Sequence, residues 1–192
     1  MDWDEFPELT TERLRLCAIT RDHAEWYLRH FSIPEIADGQ GFPPPKDLAA
    51  AREELERYVV GLYERGEGYR WGIRFKGDED IIGSIGFYSW DKEHERANMG
   101  YDLRPEHWGK GVMTEALERT IRFGFEDMGL SRISVTIMAT NPRSMRLIQR
   151  AGFVEEGVMR EYSIASGRRV DEHVFSMLKR DWRARLEGRV DV

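Results

Sequence analysis

Three successive segments between residues 69 and 103 carry apolar side chains at alternate positions, the pattern of strands with one buried face. We predict strands over Tyr69 to Phe75, Ile81 to Tyr88 and Asn98 to Leu103. The polar turn Lys76 to Asp80 joins the first two as a hairpin, so the three strands are expected to form an antiparallel meander. This meander limits the chain to folds that contain an antiparallel sheet.

Helical spacing replaces this alternation on both sides of the meander. A helix is predicted from about Leu48 to Glu64, and the residues from Met113 to Met128 mark the apolar face of another. A strand at Ile133 to Ile137 follows, and a helix that links two strands as a crossover makes them parallel. We therefore expect an α+β fold with a mixed, mostly antiparallel central sheet.

The remaining predicted elements lie towards the two ends of the chain. A strand at Arg13 to Ile19 and a helix from Thr20 to about Phe31 come first. Asn141 and Pro142 open a short helix as N-cap and first residue. The chain is expected to finish with strands at Phe153 to Ile164 and Val170 to Leu178.

One long segment, Ser32 to Lys46, contains four prolines and two glycines. We expect it to be irregular, because prolines and glycines interrupt regular elements. Loops of this length often form lids or binding loops, and Phe42 is a candidate lining residue. The alternative is a simple surface connection.

Composition excludes several classes of protein. The 192 residues suit one domain spanning 1–192. A net charge of −6 argues against nucleic acid as a partner, because nucleic-acid-binding domains are basic. The single cysteine, Cys17, rules out an intramolecular disulfide and is expected in the core. The sequence lacks a signal-peptide pattern and a membrane span of roughly 18 apolar residues, so we expect a cytoplasmic protein without membrane contact.

The segment between the third meander strand and the next helix contains Gly109, Lys110 and Gly111. A glycine-rich turn at a helix N-terminus is a physical anion site, because its N–H groups are unpaired and the helix dipole is positive there. No Gly-Lys-Ser or Gly-Lys-Thr sequence exists in the chain, so this is not a Walker loop. Glycines that merely form a turn are the alternative.

The wider context is more specific. The stretch Gly100 to Leu117 reads GYDLRPEHWGKGVMTEAL, and Asn141 to Phe153 reads NPRSMRLIQRAGF. The opening TTERLRL and the closing GRRVD belong to the same pattern. Together they resemble the GNAT superfamily of N-acetyltransferases, and within it the ribosomal-protein N-terminal (RimJ/RimL-type) branch. The resemblance covers nearly the whole chain and implies a central sheet with helices on both faces.

The resemblance also implies a co-substrate, acetyl-CoA, and a direct transfer of its acetyl group to an amine. Backbone N–H groups from Trp108 to Met113 would hold the pyrophosphate, the strand edge at Tyr101 to Leu103 would pair with the pantetheine, and Asn141 would bond the pantetheine arm. The implied acetyl-CoA-binding residues are Tyr101, Asp102, Leu103, Trp108, Gly109, Lys110, Gly111, Val112, Met113, Thr114, Asn141 and Ser144.

The chain departs from the family pattern at the position of the proton donor. Many members carry a tyrosine there that protonates the leaving thiolate, whereas this chain has Ile148. The resembled branch suggests Ser144, one turn earlier, as the substitute acid. A simple helix-surface hydroxyl is the alternative for Ser144.

The base that deprotonates the amine is expected in the charged run before the third meander strand. His94 and Glu95 are the favoured candidates, with Asp91 and Glu93 beside them. A solvated charge run, with deprotonation relayed by water, is the alternative. The five histidines show no pair at metal-binding spacing, so no metal is expected.

The acceptor is expected to be a primary amine, either a protein N-terminus or a small molecule. Trp71, Tyr88 and Trp90 are candidates for lining its site, with aromatic core packing as the alternative. Two rival functions remain, an acyl-CoA-binding module without catalysis and a nucleotide-binding protein. The assembly is expected to be a monomer or a homodimer.

Overall fold

A computed structural model describes residues 6–40, 43–165 and 167–188, so Phe42 lies outside the described residues. Its strands form one eight-stranded sheet with the order β1-β2-β3-β4-β5-β6-β8-β7. The strands are β1 Leu9–Thr10, β2 Leu14–Ala18, β3 Tyr69–Phe75, β4 Gly83–Asp91, β5 Arg96–Leu103, β6 Arg132–Met138, β7 Val154–Ala165 and β8 Arg168–Leu178.

The sheet is mixed and mostly antiparallel, as predicted. Strands β3, β4 and β5 form the expected meander. The pair β5–β6 is parallel, as a crossover helix requires, and each of the other six pairs is antiparallel.

Helices cover both faces of the sheet. They are α1 Ala24–Phe31, α2 Pro34–Gln40, α3 Leu48–Leu55, α4 Gly61–Glu64, α5 Val112–Glu126, α6 Pro142–Ala151 and α7 Lys179–Leu186. On β3, the buried Trp71 contacts Phe123 of α5, with ring centroids 5.2 Å apart. The next residue, Gly72, faces Ile19 and Ile81, which pack with α1 and α3. Successive strand residues point to opposite faces, so α5 and α1 lie on opposite sides.

The predicted helix from Leu48 to Glu64 is continuous, but a π-helical turn at Glu56–Val60 separates α3 from α4. Within the described residues, no helix combines the length and the apolar character needed to cross a membrane. Cys17 is buried in β2, as expected, with its Sγ 3.5 Å from the carbonyl oxygen of Gly72.

Two features differ from the sequence prediction. The prediction of an irregular segment from Ser32 to Lys46 was wrong, because α2 occupies Pro34–Gln40. Pro34 is the first residue of that helix, where a proline costs no hydrogen bond, and the other prolines follow its end. The C-terminal helix α7 was not predicted, although its Trp182 packs on Phe125 at 5.2 Å between ring centroids.

The parallel pair at the centre of the sheet is short. Strands β5 and β6 pair only from Arg96 to Asn98 and from Arg132 to Ser134. Both strands continue for several residues without pairing to each other, so they separate towards their carboxyl ends. This opening, bordered by Met99–Leu103 of β5 and Val135–Met138 of β6, organises the site described next.

Candidate active site

A cleft of about 1740 Å³ runs through the opening between β5 and β6. One half is lined by the N-terminal ends of α5 and α6. The other half is lined by aromatic side chains of α1, the π-helical turn and β4, and we call it the aromatic half. The side chains that define the aromatic half are Trp26, Tyr27, Phe31, Tyr58, Phe87 and Tyr88.

The N-terminus of α5 presents free backbone donors to this cleft. Gly109 and Gly111 have φ angles of 71° and 75°, a left-handed conformation that favours glycine. The backbone hydrogen bonds of the described loops, turns and caps use none of the N–H groups of Gly109 to Thr114, whereas the Trp108 N–H, predicted to contact the pyrophosphate, donates to the Pro105 carbonyl at 3.0 Å. Because α5 is 15 residues long, its dipole adds positive potential at this end. We call Gly109 to Thr114 the amide cradle, and its geometry fits a phosphate or pyrophosphate.

The amide cradle is held in place by the opening segment of the chain. Arg13 donates from its Nε to Glu115 at 2.6 Å and from its Nη1 to the Lys110 carbonyl at 3.2 Å. Trp108 donates from its indole Nε1 to the Leu103 carbonyl at 2.7 Å. Lys110 is not among the residues that line the cleft, and its carbonyl is used by Arg13.

The edge of β5 faces the opening at alternate residues. The N–H of Arg104 donates to Ile82 at 2.9 Å, so in an antiparallel ladder Asp102 directs its backbone groups towards β4. The backbone groups of Tyr101 and Leu103 then point into the opening between β5 and β6. This is the strand edge that the sequence assigned to pantetheine.

The side chains of Tyr101 and Ser144 form a hydroxyl pair beside that edge. The oxygen atoms lie 2.6 Å apart. Burial raises the pKa of Tyr101 to about 12, against the opposing effect of the Ser144 hydrogen bond, so the phenol is neutral at ordinary pH. Ile148 is fully buried in the core. The hydroxyl beside Ser144 thus belongs to a tyrosine of β5, which the sequence analysis had assigned only to acetyl-CoA binding.

Asn141 closes the α6 side of the cleft. Its Oδ1 accepts the Ser144 N–H at 3.1 Å, which makes it the N-cap of α6. A Cβ atom added to Gly39 would lie 3.7 Å from its Nδ2, so the end of α2 adjoins this amide.

A buried ionic network beneath the cleft was not predicted. Asp102 accepts from His30 Nε2 and Arg70 Nη2, each at 2.6 Å, and from Ser84 through both its N–H and its hydroxyl. Burial alone would raise the pKa of Asp102, but His30 and Arg70 outweigh it and hold the pKa at about 2. The Asp102 side chain is therefore fully engaged within the protein and its backbone pairs with Ser84 of β4, so this residue, predicted to bind acetyl-CoA, turns away from the opening.

The candidate bases His94 and Glu95 lie at the turn between β4 and β5, at the opposite end of β5 from the amide cradle. His94 Nδ1 is 3.0 Å from Asp91 Oδ2, and hydrogen bonds from His94 lower the pKa of Asp91 to about 2. The Glu95 carbonyl accepts the Ser131 N–H at 2.7 Å. From Arg96 to Tyr101 the extended strand spans about 17 Å, and neither candidate lines the cleft.

The aromatic candidates divide between the cleft and the core. Tyr88 lines the cleft. Trp71 is fully buried and donates from Nε1 to the Pro7 carbonyl at 2.6 Å. Trp90 lies outside the cleft, with the Lys92 ammonium 4.7 Å from its ring centroid. Among the described residues, no group of three or more His, Cys, Asp or Glu side chains is arranged to hold a metal ion.

Comparison of the sequence with known proteins identifies a family and several relatives. A family model described as an acetyltransferase (GNAT) domain matches residues 13–154. The chain is 36% identical over 174 residues to an uncharacterised N-acetyltransferase, YoaA, of Bacillus subtilis, covering 91% of this chain and 98% of that protein. It is 27% identical over 185 residues to the ribosomal protein uS5-alanine N-acetyltransferase of Escherichia coli, covering 91% and 92%.

The fold likeness extends to solved structures. A crystal structure of a spermidine N-acetyltransferase from Vibrio cholerae, in complex with CoA and spermine, superposes with a TM-score of 0.78. The match covers 88% of this chain and 98% of that chain at 22% identity, so it shows a common fold.

Proposed function

Since the chain belongs to the GNAT family of acetyltransferases, we propose that it transfers the acetyl group of acetyl-CoA directly to a primary amine within a ternary complex. One observation carries this proposal. The opening between β5 and β6 starts at the amide cradle, passes the hydroxyl pair and leads into the aromatic half of the cleft.

The residues of the first half of the cleft fit acetyl-CoA. The N–H groups of Gly109 to Thr114 would hold the pyrophosphate, and Asn141 with the Tyr101 and Leu103 backbone would hold the pantetheine. Bound there, acetyl-CoA supplies an activated acyl group with a thiolate as leaving group. The Trp108 ring, which lies 3.9 Å from the Arg143 guanidinium, borders the cradle.

The protein contributes two groups to the transfer itself. A backbone N–H of β5 that points into the opening can donate to the developing negative charge on the carbonyl oxygen. The hydroxyl pair can protonate the sulfur, because it holds two hydrogens and uses only one between its oxygens. Ser144 is the donor closer to the helix N-terminus, and Tyr101 replenishes it.

The acceptor class follows from the aromatic half and from the relatives. A uS5-alanine N-acetyltransferase and a spermidine N-acetyltransferase, by their names, act on an alanine of a ribosomal protein and on spermidine. Both are primary amines, and either fits a cleft of this volume. We propose the same two classes as acceptors for this chain.

Calorimetric titration with acetyl-CoA tests the first step. The native protein should bind at micromolar concentration, and Gly111→Trp, which fills the amide cradle, should abolish binding. Gly129→Trp is the matched control, because Gly129 has a φ angle of 73° and lies beyond the far end of α5. No binding by the native protein would refute the proposal.

Release of the CoA thiol, measured with spermidine and with a peptide bearing an N-terminal alanine, tests the second step. Turnover with at least one primary amine supports the enzyme. Tight acetyl-CoA binding without turnover on any amine would instead indicate an acyl-CoA-binding module.

A further inference from the structure

One carboxylate reaches the cleft from the far side of the opening. Glu172 of β8 lines the cleft and lies opposite Met138 in the β6–β8 pairing. The carbonyl of Asp171 accepts the Ala139 N–H at 2.9 Å, which ties this part of β8 to the turn that leads into Asn141. Glu172 is thus fixed at the carboxyl end of β6, where the opening is widest.

The environment of Glu172 leaves one oxygen available. The Ser163 hydroxyl of β7 donates to Oε1. No hydrogen bond or ion pair with another described residue engages Oε2. Glu172 is half-buried, so water screens its charge less than it screens the charge of a fully exposed carboxylate. Its electrostatic attraction for a cation in the cleft is correspondingly stronger.

Glu172 faces the same space as Tyr88. Tyr88 is paired with Asn98, and Asn98 with Ser134, so Tyr88 and Thr136 share the sheet face that carries Glu172. Burial raises the pKa of Tyr88, the positive charge of Arg70 and a hydrogen bond with Thr136 lower it, and the negative charge of Glu172 raises it. The two side chains therefore act on each other across the aromatic half.

The other carboxylates of the cleft are unsuited to bind an ammonium group there. Both oxygens of Asp102 are occupied by His30, Arg70 and Ser84. Glu35 and Asp38 are exposed on α2, where solvent and salt screen their charge. Among the described carboxylates that line the cleft, Glu172 alone lies on a strand of the sheet and keeps one oxygen without a hydrogen-bond partner.

We propose that Glu172 binds the ammonium group of the acceptor and accepts its proton, an assignment that rests on the proposed acetyl transfer. One proton moves from the ammonium nitrogen to Glu172 and then to solvent. The neutral nitrogen bonds to the carbonyl carbon and the C–S bond breaks. The sulfur receives a proton from the hydroxyl pair, and the second proton leaving the nitrogen restores that pair through water.

The test compares two kinds of acceptor in Glu172→Gln. Spermidine and an alanine-terminated peptide carry ammonium groups that must be bound and deprotonated, whereas methoxyamine is already neutral at neutral pH. The variant should lose about 100-fold or more in kcat/KM for the charged amines. Methoxyamine should change by less than about threefold, because it needs no proton acceptor. The calorimetric affinity for acetyl-CoA should equal that of the native protein, which also shows that the variant is folded.

Two matched variants locate the effect. Glu155→Gln removes a carboxylate that pairs with His173, the neighbour of Glu172, outside the cleft, and should leave both acceptors unchanged. Glu172→Asp keeps the charge and should recover part of the activity, and it serves in place of Glu172→Gln if that variant does not fold.

Retention of charged-amine activity by Glu172→Gln, or an equal loss for methoxyamine, would overturn the assignment. A native protein that binds acetyl-CoA but acetylates no amine would overturn the proposed function and this assignment together.

Discussion

The hydroxyl groups of Tyr101 and Ser144 lie 2.6 Å apart, and only one of their two hydrogens can bridge them. The second hydrogen is free for donation into the cleft. Since the pKa of Tyr101 is raised to about 12, the pair stays fully protonated across the working pH range. Such a pair can serve as a proton source where α6 offers only Ile148.

Removal of either hydroxyl should therefore slow the chemical step. We expect Ser144→Ala to lower kcat by about 10- to 100-fold, with little change in KM for acetyl-CoA. Tyr101→Phe should cost less, and the double variant should lose no more than Ser144→Ala, because the two groups act as one donor. Steady-state kinetics measure this, with Ser32→Ala as control, because this hydroxyl lies at the C-cap of α1 and does not line the cleft. Additive losses would contradict a shared role.

Individual site residues differ in how far the sequence reveals them. Ser144, Asn141 and the glycines of the amide cradle lie in two contiguous motifs, so a local pattern was enough to nominate them as candidates. Glu172 and the network of Asp102 with His30 depend on which strands and helices become neighbours. No local pattern encodes that neighbourhood, and His94 was favoured only because it stands near β5 in the chain.

At the scale of elements, α6 begins at a side chain of which the helix cap uses only one of two functional groups. Asn141 caps the helix through Oδ1, which leaves its Nδ2 to donate to a ligand. Asn141→Asp retains the acceptor oxygen and removes the donor, whereas Asn141→Ala removes both.

These substitutions should separate stability from binding. Asn141→Ala should lose about 1 kcal/mol of unfolding free energy and bind acetyl-CoA more weakly. Asn141→Asp should keep the stability and still bind more weakly. Thermal unfolding and calorimetry measure the two effects, and equal affinity in Asn141→Asp and the native protein would show that the amide only caps the helix.

Most strands and long helices followed from periodicity, because one buried face imposes a repeat of two or about 3.6 residues. The failure at α2 has a different cause. Only Ile36 is buried in this helix, so it carries no apolar stripe that a pattern could detect. Helix α7 likewise has no fully buried residue, and its packing against Phe125 depends on the finished fold.

At the scale of the whole molecule, Asp102 links α1, β3, β4 and β5 into one unit. Its folded pKa of about 2 lies below the ordinary value of 3.8. The unfolded chain therefore binds a proton first as pH falls. The stabilisation is complete above about pH 4 and is lost as the pH approaches 2.

Acid unfolding should show this dependence. From the difference in pKa, the free energy of unfolding should fall by about 2 kcal/mol between pH 5 and pH 2 through this group. Asp102→Asn should be destabilised by about 3 kcal/mol at pH 7, because Arg70 loses its buried partner, and its acid slope should be shallower. Urea titrations at several pH values measure both. Glu156→Gln is a comparison variant that should also have a shallower acid slope, since hydrogen bonds from Arg132 and Ser176 lower the pKa of Glu156 to about 2 as well. An unchanged slope in Asp102→Asn would contradict this account.

The short pairing of β5 with β6 has a consequence for solvent access at the middle of the sheet. Past Asn98 and Ser134, every second backbone N–H on the facing edges of β5 and β6 has no hydrogen-bond partner on the opposite strand. These N–H groups nevertheless lie in the interior of the sheet and not at its outer edges. In deuterium oxide, the Tyr101 amide should exchange within the fast fraction, while Asp102 beside it exchanges slowly. Saturation with acetyl-CoA should slow exchange at Tyr101 and leave Asp102 unchanged. The amides at the centre of this sheet would then be protected from exchange only while acetyl-CoA is bound. Local opening at this place would therefore recur in every catalytic cycle.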